Sequence, residues 1–268
     1  MRRAQKVGCR NNTPGYEETI IAPEIGISCM HAILDEIRSS LKERADPSRA
    51  ESGKRFFREE VTAYGLKTAE VTKLSRSYLP ALKTMEKTGI FALCEELLAA
   101  GYLEESFIAA AWLPHFSDRF EKADLILFEN WIDSYITNWA TCDTFCNHTV
   151  GSFLVQYPDC STRLFSWAES GNRWLRRAAA VSFIVPARKG DFLDAVFWIA
   201  DILLEDTDDL VQKGYGWLLK EASRKHRDEI FWYVQKKKQR MPRTALRYAI
   251  ELMPDEMRRE AMKKDWKR

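Results

Sequence analysis

The feature that most constrains the fold is a helical pattern that recurs at intervals of 34, 36 and 34 residues. Each unit begins with a polar or charged residue, continues into small and apolar residues, and is followed by a second helix with a bulky aromatic side chain. Asp143, Arg177, Lys213 and Arg247 occupy the same place in successive units. Stacked helix pairs repeat with this period and bury a continuous core between neighbours. A non-repetitive helical bundle is the alternative, because the units share little sequence.

The rest of the chain from Ile27 onward is also helical in pattern, and no stretch shows the period-2 alternation of a strand. Gly (12) and Pro (9) are scarce, which argues against a sandwich or barrel with many tight turns. In one segment Asp46 is the predicted N-cap, Pro47 the first helical residue and Gly65 the stop of the helix. We therefore predict an all-α fold of stacked antiparallel helix pairs in which one helix of each pair lines a concave face.

Domain organisation and compartment follow from simple features. Residues 1–26 carry basic residues and then "NNTPG", without helical periodicity, and are predicted to be a poorly ordered extension. Residues 27–268 are predicted to form a single helical-repeat domain. The six Cys are scattered and no secretory segment is evident, so we expect reduced thiols in an intracellular protein. No apolar run approaches the ~18 residues that would suggest a membrane span.

Charge is segregated along the chain. The net charge is only +2, yet residues 220–268 contain sixteen Lys and Arg against eight Asp and Glu. Equivalent positions in a stacked array point to the same face, so the repeat predicts a row of cations. The cations in this phase or beside it are Arg176, Arg177, Lys213, Arg243 and Arg247. A basic concave groove suits a long polyanion such as nucleic acid. Each cation alone is better explained by a solvated face, and the shared phase is what favours the groove.

Asp143 places a negative charge in this row. A carboxylate repels phosphate, so we expect it to have another task, such as stabilising positive charge that develops on a bound molecule. An N-cap or an intrahelical ion pair is the alternative. Trp139 lies one helical turn before Asp143, and Trp217 lies one turn after Lys213. Aromatic faces beside a carboxylate can hold a cation or a sugar ring.

The other tryptophans and the remaining polar clusters predict less. Five tryptophans are expected to pack in the core: Trp112, Trp131, Trp167, Trp198 and Trp232. Cys142, Cys146 and His148 have no second ligand cluster with the spacing of a zinc site, so no metal is predicted. No nucleophile-and-base signature and no glycine-rich phosphate loop is present, so no cofactor, and in particular no nucleotide cofactor, is predicted.

Three segments together resemble the signature segments of the AlkD-type DNA alkylation-repair glycosylases, which are built from HEAT-like repeats. They are "NWATCDTF", "NRWLRRAAAV" and "LVQKGYGWLLKEASRK", and "KRFFREEVTAYGLKTAEVTKL" resembles the N-terminal helix pair of that family. The resemblance covers roughly residues 28–260 in the family's order and spacing. It implies a HEAT-like solenoid with a basic groove that reads the lesion through the DNA backbone, without a deep base pocket.

The resemblance also implies roles for individual residues. Asp143 matches the catalytic aspartate, and Trp139 and Trp217 match tryptophans that contact the sugar of the damaged nucleotide. Arg177 matches an arginine that contacts the DNA backbone, and family members carry basic residues where Arg243 and Arg247 stand. Phe56 aligns with a position near the lesion that is often tyrosine, so this chain lacks that hydroxyl.

The function that these features favour is a monofunctional glycosylase that releases cationic N3- or N7-alkylated purines from double-stranded DNA. We expect a monomer that works without a membrane, in the cytoplasm or nucleoid of a bacterium. Two alternatives belong to other classes. A helical-repeat protein of this fold can bind unusual or branched DNA without catalysis, and helical repeats also serve as protein–protein scaffolds. A DNA affinity that falls steeply with salt distinguishes the glycosylase and the DNA binder from the scaffold.

Overall fold

The computed structural model describes residues 24–264, which fold almost entirely into helices. The α-helices are α1 Glu24–Glu43, α2 Pro47–Lys54, α3 Thr68–Leu82, α4 Lys87–Ala99, α5 Leu103–Trp112, α6 Asp124–Tyr135, α7 Trp139–Phe145, α8 Gly151–Gln156, α9 Arg163–Ala168, α10 Arg173–Val181, α11 Ile184–Lys189, α12 Leu193–Ile202, α13 Asp209–Ala222, α14 Arg227–Lys237, α15 Arg243–Ala249 and α16 Asp255–Met262. Short 3₁₀ helices span Leu113–Arg119 and Pro158–Thr162, and Cys146–Val150 is π-helical. Apart from an isolated bridge between Thr62 and Tyr102, these residues form no β-structure. The all-α prediction is confirmed.

The helices stack as pairs in two layers. In the inner layer α3 packs on α5, α5 on α7, α7 on α10, α10 on α13, and α13 on α15. Their partners α4, α6, α9, α12, α14 and α16 form the outer layer, in which α4 packs on α6, α9 on α12, and α14 on α16. The core lies between the layers and runs the length of the stack as one cluster of buried apolar side chains. The predicted solenoid of antiparallel helix pairs is therefore confirmed, and α7, α10, α13 and α15 form successive rungs of its concave face.

The N-caps explain why the repeat is in register. Asn138, Asn172 and Asp208 cap α7, α10 and α13, and each side chain accepts a hydrogen bond from a backbone N–H of the first turn. Such caps satisfy donors that the first helical turn leaves free. The caps are 34 and 36 residues apart, as are Asp143, Arg177 and Lys213. Each of those residues is thus the fifth after its cap, which fixes its place on the helix.

The helix predicted to run from Asp46 to Gly65 is shorter than expected. Asp46 does cap α2, accepting from the N–H of Arg49 at 3.0 Å, but the helix ends at Lys54. Residues 55–66 form no helix, and backbone N–H groups at the end of this segment donate to a side chain of α5 instead. The buried carboxylate of Glu104 accepts from the N–H groups of Tyr64, Gly65 and Leu66 at 2.7–3.0 Å.

Gly65 is required in this irregular segment. Its φ is +90°, a conformation that disfavours other residues, and a Cβ there would lie 2.1 Å from the carbonyl oxygen of Asp46. The segment is consequently held against α2 and α5. This anchorage determines where residues 55–60 cross the concave face.

The first helix begins at Glu24, three residues before the predicted domain boundary at Ile27, and the rest of the predicted N-terminal extension lies outside the described residues. No helix between residues 24 and 264 is long and apolar enough to cross a membrane.

The tryptophans divide into two groups. Trp112, Trp131 and Trp167 are buried as predicted. The prediction is wrong for Trp198 and Trp232, which are 63% and 68% exposed. Both lie on outer-layer helices, α12 and α14, and no further described layer covers that side.

Candidate active site

One cleft in the concave face brings together six of the residues that the sequence singled out. The cleft has a volume of about 440 Å³ and lies between residues 55–60 and the inner helices α7, α10, α13 and α15. The six residues are Phe56, Trp139, Asp143, Arg177, Lys213 and Trp217. They come from sequence positions far apart, so the stacking of the repeats assembles the cleft.

Asp143 and Arg177 form a bidentate ion pair at the floor of the cleft. Arg177 Nε donates to Asp143 Oδ1 at 2.8 Å, and a terminal guanidinium nitrogen donates to Oδ2, also at 2.8 Å. The other terminal nitrogen of Arg177 donates to the carbonyl oxygen of Leu210 in α13. The side chain of Arg177 is 6% exposed and that of Asp143 is 15% exposed. Arg177 therefore lies in the concave cleft together with Lys213, but it is a buried and paired cation, because its guanidinium fills the space between α7, α10 and α13. Its predicted role as a contact to the DNA backbone stays a prediction.

Burial controls the ionisation of this pair. Burial raises the pKa of Asp143 above its ordinary value, and the charge and hydrogen bonds of Arg177 oppose that rise. Burial alone would lower the pKa of Arg177, but the charge and hydrogen bonds of Asp143 raise it, so the guanidinium stays protonated. Asp143 is thus a more basic carboxylate than usual, held in one orientation by a permanent cation.

The two predicted tryptophans line the cleft together with Asp143. The ring of Trp139 is stacked on that of Phe57, with centroids 5.4 Å apart, and its Nε1 donates to the carbonyl oxygen of Phe56 at 3.2 Å. Trp217 Nε1 lies 3.4 Å from Glu221 Oε1, a buried carboxylate one turn further along α13. Both indole rings are half-buried and fixed by their N–H groups. Their faces can contact a molecule in the cleft without reordering.

Residues 55–60, here called the strap, close one side of the cleft. Arg58 donates to Asp209 at the start of α13 at 2.9 Å. Glu59 pairs with Arg173 at the start of α10 at 3.0 Å. Phe56, the second residue of the strap, is 64% exposed. No sequence pattern indicates these ion pairs, because residues 55–60 are compatible with a helix and their partners are distant in sequence.

The remaining predicted cations differ in their surroundings. Lys213 lines the cleft and pairs with Asp209 at 3.2 Å. Arg176 does not line the cleft. It pairs with Asp206 at 2.7 Å and donates to two backbone carbonyl oxygens. Arg243 and Arg247 lie exposed on α15, outside this cleft. The DNA-binding roles of these residues remain predictions.

Besides Arg58, other polar residues line the cleft or its extension without having been proposed as ligand contacts from the sequence. Glu59, Asp209 and Tyr248 border it directly. Asn147, one turn beyond Asp143, lies in the π-helical segment and is 8% exposed, and its Oδ1 has no donor among the described residues. Single-turn π-helices are frequent at functional sites. Asp209 could have been located from the repeat, because it directly follows the N-cap Asp208, as Trp139 directly follows the N-cap Asn138. No local sequence signal points to Tyr248.

The neighbourhood of Asp143 is not built for a metal ion. Cys142 and Cys146 are buried, and burial raises the pKa of Cys142, which favours its thiol form. Among residues 24–264, no group of three or more His, Cys, Asp or Glu side chains comes close enough to hold a metal. Immediately around Asp143, the groups that line the cleft include its partner arginine and two indoles.

The fold and the cleft together define a HEAT-like helical-repeat protein whose concave face carries a fixed carboxylate between aromatic walls. The profile of the family described as DNA alkylation repair enzymes matches residues 37–253. The chain belongs to that family.

The chain is also similar to solved structures. A predicted DNA alkylation repair enzyme from Enterococcus faecalis is similar with a TM-score of 0.71 and 16% identity, covering 79% of this chain and 97% of the other. The protein smu.31 from Streptococcus mutans UA159 has a TM-score of 0.52 and 20% identity, covering 69% and 98%. The alkylpurine DNA glycosylase AlkC of Pseudomonas fluorescens, bound to DNA containing an abasic site analog, has a TM-score of 0.47 and 15% identity, covering 85% and 63%. No curated protein sequence matches significantly.

Proposed function

We propose that the protein is a monofunctional DNA glycosylase that hydrolyses the N-glycosidic bond of purines alkylated at N3 or N7. Membership of the alkylation-repair family supplies the class. The observation that carries the proposal is the position of Asp143, which is held by Arg177 and flanked by Trp139 and Trp217 in one open cleft. The substrate would be double-stranded DNA, with its deoxyribose beside Asp143.

The chemistry needs few groups. A purine alkylated at N3 or N7 carries a positive charge, so it leaves as a neutral base when the C1′–N bond breaks and takes the bonding electrons. No acid has to protonate it. The sugar becomes an oxocarbenium-like cation, as in glycoside hydrolysis. The negative charge of Asp143 stabilises that cation, and water then adds at C1′ and loses its proton to the carboxylate.

The structure supports this division of tasks. Both oxygens of Asp143 accept from Arg177, and each retains a further lone pair for water or sugar. The indole faces of Trp139 and Trp217 provide electron-rich walls for the developing cation. The cleft lies in the concave face, which is consistent with a nucleotide approached at its sugar and phosphate. The exposure of Phe56 on the strap and its position in the lining of the cleft support a contact with the same nucleotide.

One observation favours the alternative, a non-catalytic binder of branched or unusual DNA. The bidentate pair gives Asp143 and Arg177 no net charge, which weakens the field that the carboxylate exerts on a sugar cation. The two functions differ in their products. A glycosylase leaves free base and an abasic site, whereas a binder changes no bond.

The test is release of free base from duplex DNA that contains one N7-methylguanine or N3-methyladenine. The proposal predicts free base and an alkali-labile abasic site, with no strand cleavage before alkali and no release from the undamaged duplex. Spontaneous loss of the alkylated base is subtracted with an enzyme-free control. Tight, salt-sensitive binding to branched DNA without base release would establish the binder instead.

A further inference from the structure

Two cations from opposite sides of the cleft share one carboxylate. Asp209 Oδ1 accepts from Arg58 at 2.9 Å, and Oδ2 accepts from the Nζ of Lys213 at 3.2 Å. Arg58 belongs to the strap, whereas Asp209 and Lys213 lie in the first two turns of α13. Arg58 and Asp209 are 151 residues apart in sequence, so the fold brings this group of three together.

Arg58, Lys213 and Asp209 are more exposed to solvent than the buried pair of Asp143 and Arg177. The side chain of Arg58 is 76% exposed, that of Lys213 is 36% exposed and that of Asp209 is 28% exposed. Ion pairs in contact with solvent contribute little to stability, because water and salt screen them. The fold therefore does not depend on Asp209, and its two partners can exchange it for another anion at small cost.

A DNA phosphate is a fitting replacement. A phosphodiester carries one negative charge on two non-bridging oxygens, as a carboxylate does, and arginine binds both anions with its planar fork. The site also lies at the first turn of α13, a helix of 14 residues whose N-terminus favours an anion. The other carboxylates here, Glu59 and Asp208, already pair with Arg173 and do not compete for the two cations.

We propose that Arg58 and Lys213 form a binding site for a DNA backbone phosphate, and that Asp209 occupies this site in the DNA-free protein. The proposal rests on the proposed function, since it needs DNA as the ligand. All three residues line the cleft that contains Asp143, so the bound phosphate belongs to the damaged nucleotide or its neighbour. Asp209 lowers DNA affinity, because DNA must displace it, and it keeps the two cations in place beforehand.

The experiment compares Asp209→Asn with Asp194→Asn in binding to a duplex that contains a tetrahydrofuran abasic-site analogue. Asp194 is the matched control, since it is also an acidic residue in the first turn of a helix, and is exposed on α12 outside the cleft. We expect Asp209→Asn to lower the Kd about three- to tenfold, as for the loss of competing exposed ion pairs. We expect Asp194→Asn to change it less than about twofold, because its charge is distant and screened.

A second comparison removes Arg58. The change Arg58→Ala is expected to weaken binding more in the Asp209→Asn background than in the wild type, because the wild-type arginine must first leave Asp209. It is also expected to reduce the slope of log Kd against log salt concentration by about one. Melting temperatures of all variants verify folding.

Three outcomes overturn the proposal. If Asp209→Asn binds no tighter than Asp194→Asn, Asp209 does not compete with DNA. If Arg58→Ala leaves the salt slope unchanged in both backgrounds, Arg58 does not bind phosphate. If the wild type binds no DNA, the proposed function fails as well, whereas either of the first two results with DNA binding intact removes only the phosphate site.

Discussion

The guanidinium of Arg177 donates two N–H···O bonds of 2.8 Å to the carboxylate of Asp143, although the two residues are 34 positions apart in sequence. Both side chains occupy the fifth position after an N-cap, on neighbouring rungs of the stack. The repeat that places equivalent residues side by side thus also pairs them. A buried carboxylate held in this way has its orientation fixed before any substrate arrives, as electrostatic catalysis requires.

Loss of Arg177 should destabilise the protein. The change Arg177→Ala leaves Asp143 buried without a partner and removes the bond to Leu210, so we expect the free energy of unfolding to fall by about 3–5 kcal/mol. Urea denaturation of the variant and the wild type measures this difference in the free energy of unfolding. Arg240→Ala is the control, because Arg240 pairs with Glu205 on the exposed surface and its loss should leave the unfolding midpoint unchanged. Equal effects of the two changes would contradict the structural role given to Arg177.

The pH dependence of base release should report the burial of Asp143. The carboxylate must be ionised to act, and its pKa is raised by burial. The single-turnover rate should therefore fall as the pH decreases through a value above about 3.9, the ordinary pKa of Asp. Arg177 opposes the rise, so Arg177→Lys, which loses the bidentate geometry, should move this limb to higher pH. A limb at the ordinary Asp pKa, measured after subtraction of acid-catalysed depurination, would contradict the assignment.

Two glycines of α13 should respond oppositely to alanine. A Cβ on Gly216 would lie 2.7 Å from Tyr248 Cβ and 2.8 Å from the Ala245 carbonyl oxygen, so α15 must shift. We expect Gly216→Ala to lower the free energy of unfolding by about 1–3 kcal/mol.

A Cβ on Gly214 meets its nearest atoms, in the side chain of Arg177, at 3.5 Å, which is an ordinary contact. Gly214→Ala should be neutral or should stabilise by up to about 1 kcal/mol through helix propensity. Thermal melts of both variants measure this, and a stable Gly216→Ala protein would mean that α15 is not held tightly against α13.

The sequence predicted the residues of the site whose positions follow from helix periodicity and from the repeat. Asp143, Trp139 and Trp217 could be placed because helix periodicity and the 34- and 36-residue intervals are local and regular. Burial of Arg177 could not be predicted, because a charge in an exposed phase and a charge paired across a helix interface have the same sequence pattern. Exposure of Trp198 was missed for a related reason, since an aromatic residue on an outer helix looks the same whether or not another layer covers it.

The strap shows a second limit of the sequence. Its contacts join Arg58 to Asp209 and Glu59 to Arg173, across more than one hundred residues in each case. No periodicity links such pairs, and the run "KRFFREE" is compatible with a helix. The carboxylate of Glu104 accepts hydrogen bonds from the backbone N–H groups around Gly65 and holds this segment outside a helix, and these bonds depend on the tertiary structure.

The most direct test of the account compares single-turnover base release by the wild type and by Asp143→Asn from duplex DNA carrying N7-methylguanine. Asparagine keeps the shape of the side chain and removes its charge. The account predicts a rate lower by about 10²–10³-fold or more, the size of one lost transition-state interaction, with affinity for an abasic duplex within a fewfold of the wild type. A variant that releases base as fast as the wild type would show that the carboxylate of Asp143 does not stabilise the sugar cation.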